Sequence, residues 1–252
     1  MTPLMTLTPE SLSHLVAARN AALNAIAETL WPTRCALCDA PGAVLCDRCR
    51  RALPYIDVLD ACPRCGAPFG RVQCTECNPL MTRAAGHGVL PCTAMASALS
   101  LTEEARRLVT VYKDQGEQRL ACDLAALMAR YVPPRWLHPA PTVAFVPATA
   151  TARRRRGFDH GELLARELSR ELGLAWIPLL AAPHHRDQRK LSRRQRLENA
   201  SRSMDVLPGA TVPPSLILTD DVCTTGATLY AAASALVHAG AETVYGLTVA
   251  RA

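Results

Sequence analysis

From about residue 86 onward, short apolar and β-branched runs alternate with segments in which apolar side chains recur at three- and four-residue steps. Strands separated by helical patterns in this way are the signature of an open parallel α/β sheet, because parallel neighbours need a long crossover between them. Residues 142–146, 215–219 and 243–249 read as buried strands. Helical periodicity covers 101–130, with a break at Gln115-Gly116. It returns at about 226–239, with Leu229, Leu236 and Val237 inward and Gly240 after the last turn. Asp159 and Glu162 have capping-box spacing, Leu163, Leu164, Leu168 and Leu172 form an apolar face behind them, and Gly173 stands where that helix would end.

The beginning of the chain is patterned differently. Leu12, Leu15, Val16, Leu23, Ile26 and Leu30 mark one amphipathic helix over 9–30, with Thr8 as its cap and Pro9 at its first position. Trp31-Pro32 ends it, and residues 31–82 show no long period but many Gly, Pro and Cys positions. The chain therefore divides by pattern into a helix (1–30), a Cys-rich module (31–82) and an α/β domain (83–252).

Composition confirms a globular chain of 252 residues, 49% apolar and 20% charged. Charge interrupts every apolar run before the roughly 18 residues of a membrane span. Glu10, Arg19 and Glu28 also stand where an export signal would be apolar. The expectation is a cytoplasmic protein without membrane insertion. In a reducing compartment its eleven cysteines are expected as ligands rather than disulfides. Eight of them form four CxxC knuckles: Cys35 and Cys38, Cys46 and Cys49, Cys62 and Cys65, Cys74 and Cys77. Two knuckles complete a closed four-thiolate site with no open position, so two structural Zn²⁺ ions are expected. Sequential and interleaved pairing satisfy the same stoichiometry. Cys92 and Cys122 read as small buried side chains, and Cys223, inside a turn, as oxidisable.

The most informative segment runs from Leu216 to Thr228: an apolar strand, Asp220-Asp221, then Val222-Cys223-Thr224-Thr225-Gly226-Ala227-Thr228 opening a helix. N–H groups and hydroxyls at such a turn form an anion cradle, and paired carboxylates at a strand end can hold sugar hydroxyls or a divalent cation. A phosphorylated sugar satisfies both halves.

This segment resembles the fingerprint of the type I phosphoribosyltransferases, which bind 5-phosphoribosyl 1-pyrophosphate (PRPP). The resemblance implies that Asp220 and Asp221 bind the ribose hydroxyls with Mg²⁺, and that Thr224, Thr225, Gly226, Ala227 and Thr228 bind the 5′-phosphate. Thr224 stands where the 6-oxopurine salvage enzymes place an acidic residue, which speaks against that activity. Nearly the whole length is similar to the ComF/ComFC competence-associated proteins, in which a helix and a multi-CxxC module precede a phosphoribosyltransferase-like domain. Besides the cysteines, the motifs are Tyr112-Lys113 with Gly116, Arg156-Gly157-Phe158, and Gln188, Leu191, Ser192, Arg196 and Asn199 at the family's spacing. Asp159-His160 replaces a common Asn-Gln, and Met204 replaces a common aromatic. The resemblance implies a role in natural transformation, with PRPP·Mg²⁺, single-stranded DNA and the ComFA helicase as partners. It leaves open whether the domain transfers ribosyl-5-phosphate to a nitrogen acceptor or only binds.

The net charge is +6, and all but Lys113 and Lys190 of the 28 basic residues are arginine, the side chain suited to bidentate phosphate contacts. Arg153–Arg156 follow the 142–146 strand, where the resemblance puts a pyrophosphate-holding loop, with one or two of the four expected to face PRPP. Residues 184–202 form a basic stretch that the fold would use as a lid, with Lys113, Arg153, Arg156, Arg186, Gln188, Lys190 and Arg196 as pyrophosphate candidates. His160, His184 and His185 read as surface or lid residues. Aromatics are only 4%, and Phe158 is the one set beside an arginine run, so single-strand binding is expected to rest on charge more than on stacking.

Overall fold

The computed structural model describes residues 32–84, 90–183 and 204–252. The helix expected over 9–30, the basic segment 184–202 and with it Arg186, Gln188, Lys190 and Arg196 lie outside the described residues. The chain divides into two compact units, Met1–Arg50 and Arg51–Ala252.

The first unit carries the first two knuckles. The Cys35 N–H donates to the Ala40 carbonyl, the Ala36 N–H to Val44, and the Gly42 N–H to Thr33, so the chain doubles back around Asp39. Asp39 takes a left-handed turn (φ 61°) held by Arg34, which donates to its carbonyl and its carboxylate. A short helix, α1 (Asp47–Arg51), begins right after Cys46 and carries Cys49 of the second knuckle.

Among the described residues the second unit is built on four strands, β1 (Ala94–Ser100), β2 (Thr142–Phe145), β3 (Ser215–Cys223) and β4 (Thr243–Arg251), all parallel in the order β1-β4-β3-β2. Helices α2 (Pro79–Ala84), α3 (Glu103–Lys113), α4 (Leu120–Ala129), α5 (Ala150–Arg156), α6 (His160–Leu172) and α7 (Ala227–His238) connect and cover them, with one 3₁₀ turn at Pro134–Leu137. The expected parallel α/β sheet is thus present. The break at Gln115-Gly116 separates α3 from α4, and α6 starts at its expected cap: the Asp159 carboxylate accepts from the N–H groups of Gly161 and Glu162, and Gly173 ends the helix left-handed.

Four details differ from the sequence reading. β3 and β4 run on to Cys223 and Arg251, because they pair with each other to their ends, Val222 opposite Ala250 and Cys223 opposite Arg251. Asp220 and Asp221 therefore lie within a strand. Arg153–Arg156 form the last turn of α5 rather than a loop, since Thr149 caps that helix by accepting from the Ala152 N–H. Val237 is exposed, because Ala231, Ala232 and Ala233 with Leu229, Tyr230 and Leu236 supply the buried face of α7. Cys122 is exposed on α4, whose inner face is Leu120, Ala121, Leu124 and Leu127.

The last two knuckles are part of this core. Cys62, Cys65 and Cys77 belong to the same apolar cluster as Met95, Leu216, Leu218, Leu229 and Val244 of the sheet and α7, and Cys65 is fully buried. The Ile56 N–H donates to the Ala98 carbonyl on β1, which ties the start of this segment to the sheet edge.

Candidate functional site

Three elements converge at the carboxyl end of β3. Gly161, in the first turn of α6, lies against the end of β2 so closely that a Cβ there would sit 2.4 Å from the Val146 carbonyl oxygen. Asp159 fixes that approach, its carboxylate also accepting from the Ala148 N–H (3.0 Å). The result places His160 Nε2 3.5 Å from Asp221 Oδ2. From the other side, α3 ends with Lys113, whose Nζ is 2.8 Å from the same oxygen. Tyr112, fully buried, donates its hydroxyl to the His160 carbonyl (2.6 Å) and meets Phe158 edge-on at 6.2 Å. Asp114 accepts from Arg155 (3.2 Å) and Arg156 (2.8 Å). Tyr112, Lys113 and Asp114 thus join three neighbouring elements at one point.

His160, Asp220 and Asp221 present ligand atoms within 4.8 Å of one another. Burial lowers the His160 pKa against the pull of Asp221 and Asp159, which keeps the imidazole neutral at pH 7. Burial, then the adjacent Asp221 carboxylate, raises the Asp220 carboxyl well above its ordinary range. An acid shifted upward is stabilised in the fold when protonated, and that stability is lost as pH rises through its folded value. Asp220→Asn should therefore raise the melting temperature at pH 7 by roughly 2–4 °C, the shift that about 1 kcal/mol produces in a domain of this size. The gain should vanish as pH falls toward the ordinary carboxylate range. A calorimetric series across pH checks this, and an unchanged or lower melting temperature at pH 7 contradicts it.

Beyond Cys223 the chain turns at Thr224, Thr225 and Gly226 into α7. Gly226 has φ 78°, and a Cβ there would lie 2.5 Å from the Tyr230 ring, so no other residue fits without moving that ring. Thr224, Thr225, Ala227 and Thr228 are exposed around it, leaving an open turn at a helix N-terminus. Below the turn, Arg251 is almost fully buried, donating from Nη1 to Cys223 Sγ (2.6 Å) and to the Thr224 carbonyl (3.0 Å). No carboxylate pairs with Arg251 among the described residues. The titratable groups that face it are the Cys223 and Cys65 thiols and the Tyr230 hydroxyl. Cys223 is itself buried with its thiol pKa raised by that burial, the opposite of an easily oxidised cysteine.

The cysteine clusters resolve the pairing left open by spacing. Cys35, Cys38, Cys46 and Cys49 form one group, and Cys62, Cys65, Cys74 and Cys77 the other. The Sγ atoms of Cys38 and Cys46 are 3.7 Å apart, and those of Cys62 and Cys77, and of Cys65 and Cys74, 3.6 Å. Zn–S bonds of about 2.3 Å in a tetrahedron give S–S edges of about 3.8 Å. At Cys35, burial raises the thiol, but N–H groups of Cys46, Cys38 and Leu37 outweigh it and bring the pKa down to about 6, favouring the thiolate that a metal needs. Both groups fit structural zinc.

Residues 26–81 match the double zinc ribbon domain family. The DNA utilization protein YhgH of Salmonella typhi is 29% identical over 230 residues, covering 84% of this chain and 94% of that protein. The protein of the same name from Escherichia coli O157:H7 is 29% identical over 241 residues with the same coverage. The chain thus carries a double zinc ribbon and is similar to these DNA utilization proteins over most of its length. Among solved structures, adenine phosphoribosyltransferases from Leishmania tarentolae and Leishmania donovani overlay 56% and 54% of this chain, covering 74% and 53% of their own. Their TM-scores are 0.31 and 0.30, at 15% and 19% identity.

In the structure Lys113, Asp220 and Asp221 come together, and the 224–228 turn adjoins them. Arg156 reaches the cluster through His160 Nδ1 (3.2 Å), while Arg153 and Arg154 stay exposed. His160, read from sequence as a surface residue, is buried within the cluster. The signal was its place right after the Asp159 cap, which makes it the first residue of a helix clamped to the strand ends. Arg251 was missed entirely.

Proposed function

We propose that the protein binds PRPP with Mg²⁺ and works in DNA uptake during natural transformation, a reading supported by its similarity to proteins named for DNA utilization. The observation that carries this reading is the junction of β3 and α7: two consecutive carboxylates in the last four residues of a parallel strand, followed after Val222 and Cys223 by an open Thr/Gly turn at a helix N-terminus. Asp220 and Asp221 would hold the ribose hydroxyls and the cation, residues 224–228 the 5′-phosphate, and the exposed arginines of α5 the pyrophosphate. Single-stranded DNA is the polymeric ligand of this proposal, and the ComFA helicase its protein partner, in the cytoplasm. The alternative is a working transferase that moves ribosyl-5-phosphate from PRPP to a nitrogen acceptor. His160, neutral beside Asp221, is the group there able to take a proton from such an acceptor.

Titrating PRPP with Mg²⁺ into the protein should give calorimetric binding that Asp221→Asn removes while zinc content stays the same. Equal binding by both would show that the strand-end carboxylates are not the ribose clamp. Pyrophosphate release across a panel of bases and amines separates the transferase from the binding protein.

A further inference from the structure

A cavity of about 310 Å³ lies where the second ribbon meets the sheet edge and the segment after α4. Its floor is apolar: Ile56, Val58, Pro63, Met95, Val132 and Trp136 line it. Its charged lining residues are Arg71, Arg130 and Arg135, with no carboxylate among the lining. All three arginines are exposed, and none has an ion-pair partner among the described residues. Asp57, on the bordering loop, accepts from the Leu59 N–H (2.8 Å) within that loop. The same ribbon segment exposes Val58, Leu59, Phe69 and Val72, the last completely.

The α5 face suits a polyanion less well than its sequence suggests. Arg155 and Arg156 are engaged by Asp114, and Phe158 is half-buried against Tyr112. Neither a full cation run nor a free stacking ring remains there. The ribbon face has exposed arginines and an exposed ring: Phe69 is 79% exposed, two residues before Arg71.

We propose that this ribbon-edge cavity is the contact surface for single-stranded DNA, taking an unstacked base against its apolar floor while Arg71, Arg130 and Arg135 meet the flanking phosphates. A base is apolar on its faces and linked to anions on either side, which matches a hydrophobic hollow rimmed by unpaired guanidinium groups. The inference rests on the DNA reading above and gives it a location away from the strand-end carboxylates. It follows that DNA and PRPP occupy separate surfaces of the second unit and can be bound together.

The test is fluorescence anisotropy with a labelled oligothymidylate of about 15 nucleotides and an abasic strand of equal length. Arg71→Ser with Arg135→Ser should weaken binding about tenfold or more. The pair should also flatten the salt dependence by roughly 1.4, because each phosphate no longer neutralised takes about 0.7 from the slope on a single strand. Phe69→Ala should narrow the preference for the oligothymidylate over the abasic strand. Melting temperature and zinc content should match the unmodified protein in each variant, since all three side chains are exposed. If the ribbon variants bind normally and Arg153→Ser with Arg154→Ser loses the strand, the cavity assignment fails while the DNA reading stands. If the unmodified protein does not bind the strand at low salt, both fail.

Discussion

Cys65→Ala should abolish the cooperative unfolding transition of residues 51–252, whereas Cys38→Ala should leave that transition within a few degrees of its original position. The two cysteines are chemically equivalent ligands, one in each four-thiolate group. They differ in what surrounds them. Cys65 is fully buried, and its cluster-mates Cys62 and Cys77 pack with Met95, Leu216, Leu229 and Val244 of the sheet core. Structural zinc contributes on the order of 10 kcal/mol to small domains that depend on it. That is comparable to the whole margin of roughly 5–15 kcal/mol by which a domain stays folded. Losing the second ion also leaves three thiols facing one another in an apolar interior. Cys38 belongs to the compact unit Met1–Arg50, so its loss should be read there. Calorimetry with elemental analysis checks this: about two zinc ions in the parent, about one in each variant, and a lost transition only for Cys65→Ala. Equal melting of the two variants would mean that the second ribbon does not staple the sheet core.

Arg251→Met should give the next largest effect, a fall in melting temperature of about 6–20 °C. A guanidinium so deeply buried needs a counter-charge, and four thiolates around a divalent zinc carry a net double negative charge, with Cys65 facing Arg251. Removing one partner of a buried charge pair costs about 3–5 kcal/mol, which corresponds to that range in a domain of this size. The same change strips the Thr224 carbonyl and Cys223 Sγ of their donor, at the start of the phosphate-type turn. PRPP affinity should fall with stability, and zinc content should persist because Arg251 is not a ligand. A shift below about 2 °C would show that the guanidinium is not needed to hold the turn.

Local signals made much of this fold legible. The first knuckle of each pair is closed within five residues, the Cys35 N–H donating to Ala40 and the Cys62 N–H to Ala67, so its geometry is written in a short stretch of chain. Asp159 and Gly173 cap α6 by hydrogen bonds that span only a few positions. What stayed hidden depends on partners far along the chain. β3 extends through the Asp pair because β4 accompanies it to Arg251, a register no window around residue 220 contains. His160 gains its meaning from Asp221, Arg251 from Cys65 and Cys223, and Lys113 from an oxygen on a strand more than a hundred residues later. The arginine run has an obvious composition, yet its availability is set by Asp114 on another helix.

The strand order has a consequence for synthesis. β4 is the only described strand that touches both β1 and β3, and Ser97 on β1 meets Thr248 across 151 positions. At about 5–20 residues per second, β1 emerges from the ribosome roughly 8–30 s before its neighbour exists. During that interval its apolar face is bare and no parallel partner can cover it. The nascent chain therefore presents a sticky strand for many seconds, the kind of exposure that cellular chaperones shield. A ribosome stall anywhere between β1 and β4 should lengthen that exposure by its own duration, whereas a stall before β1 should not.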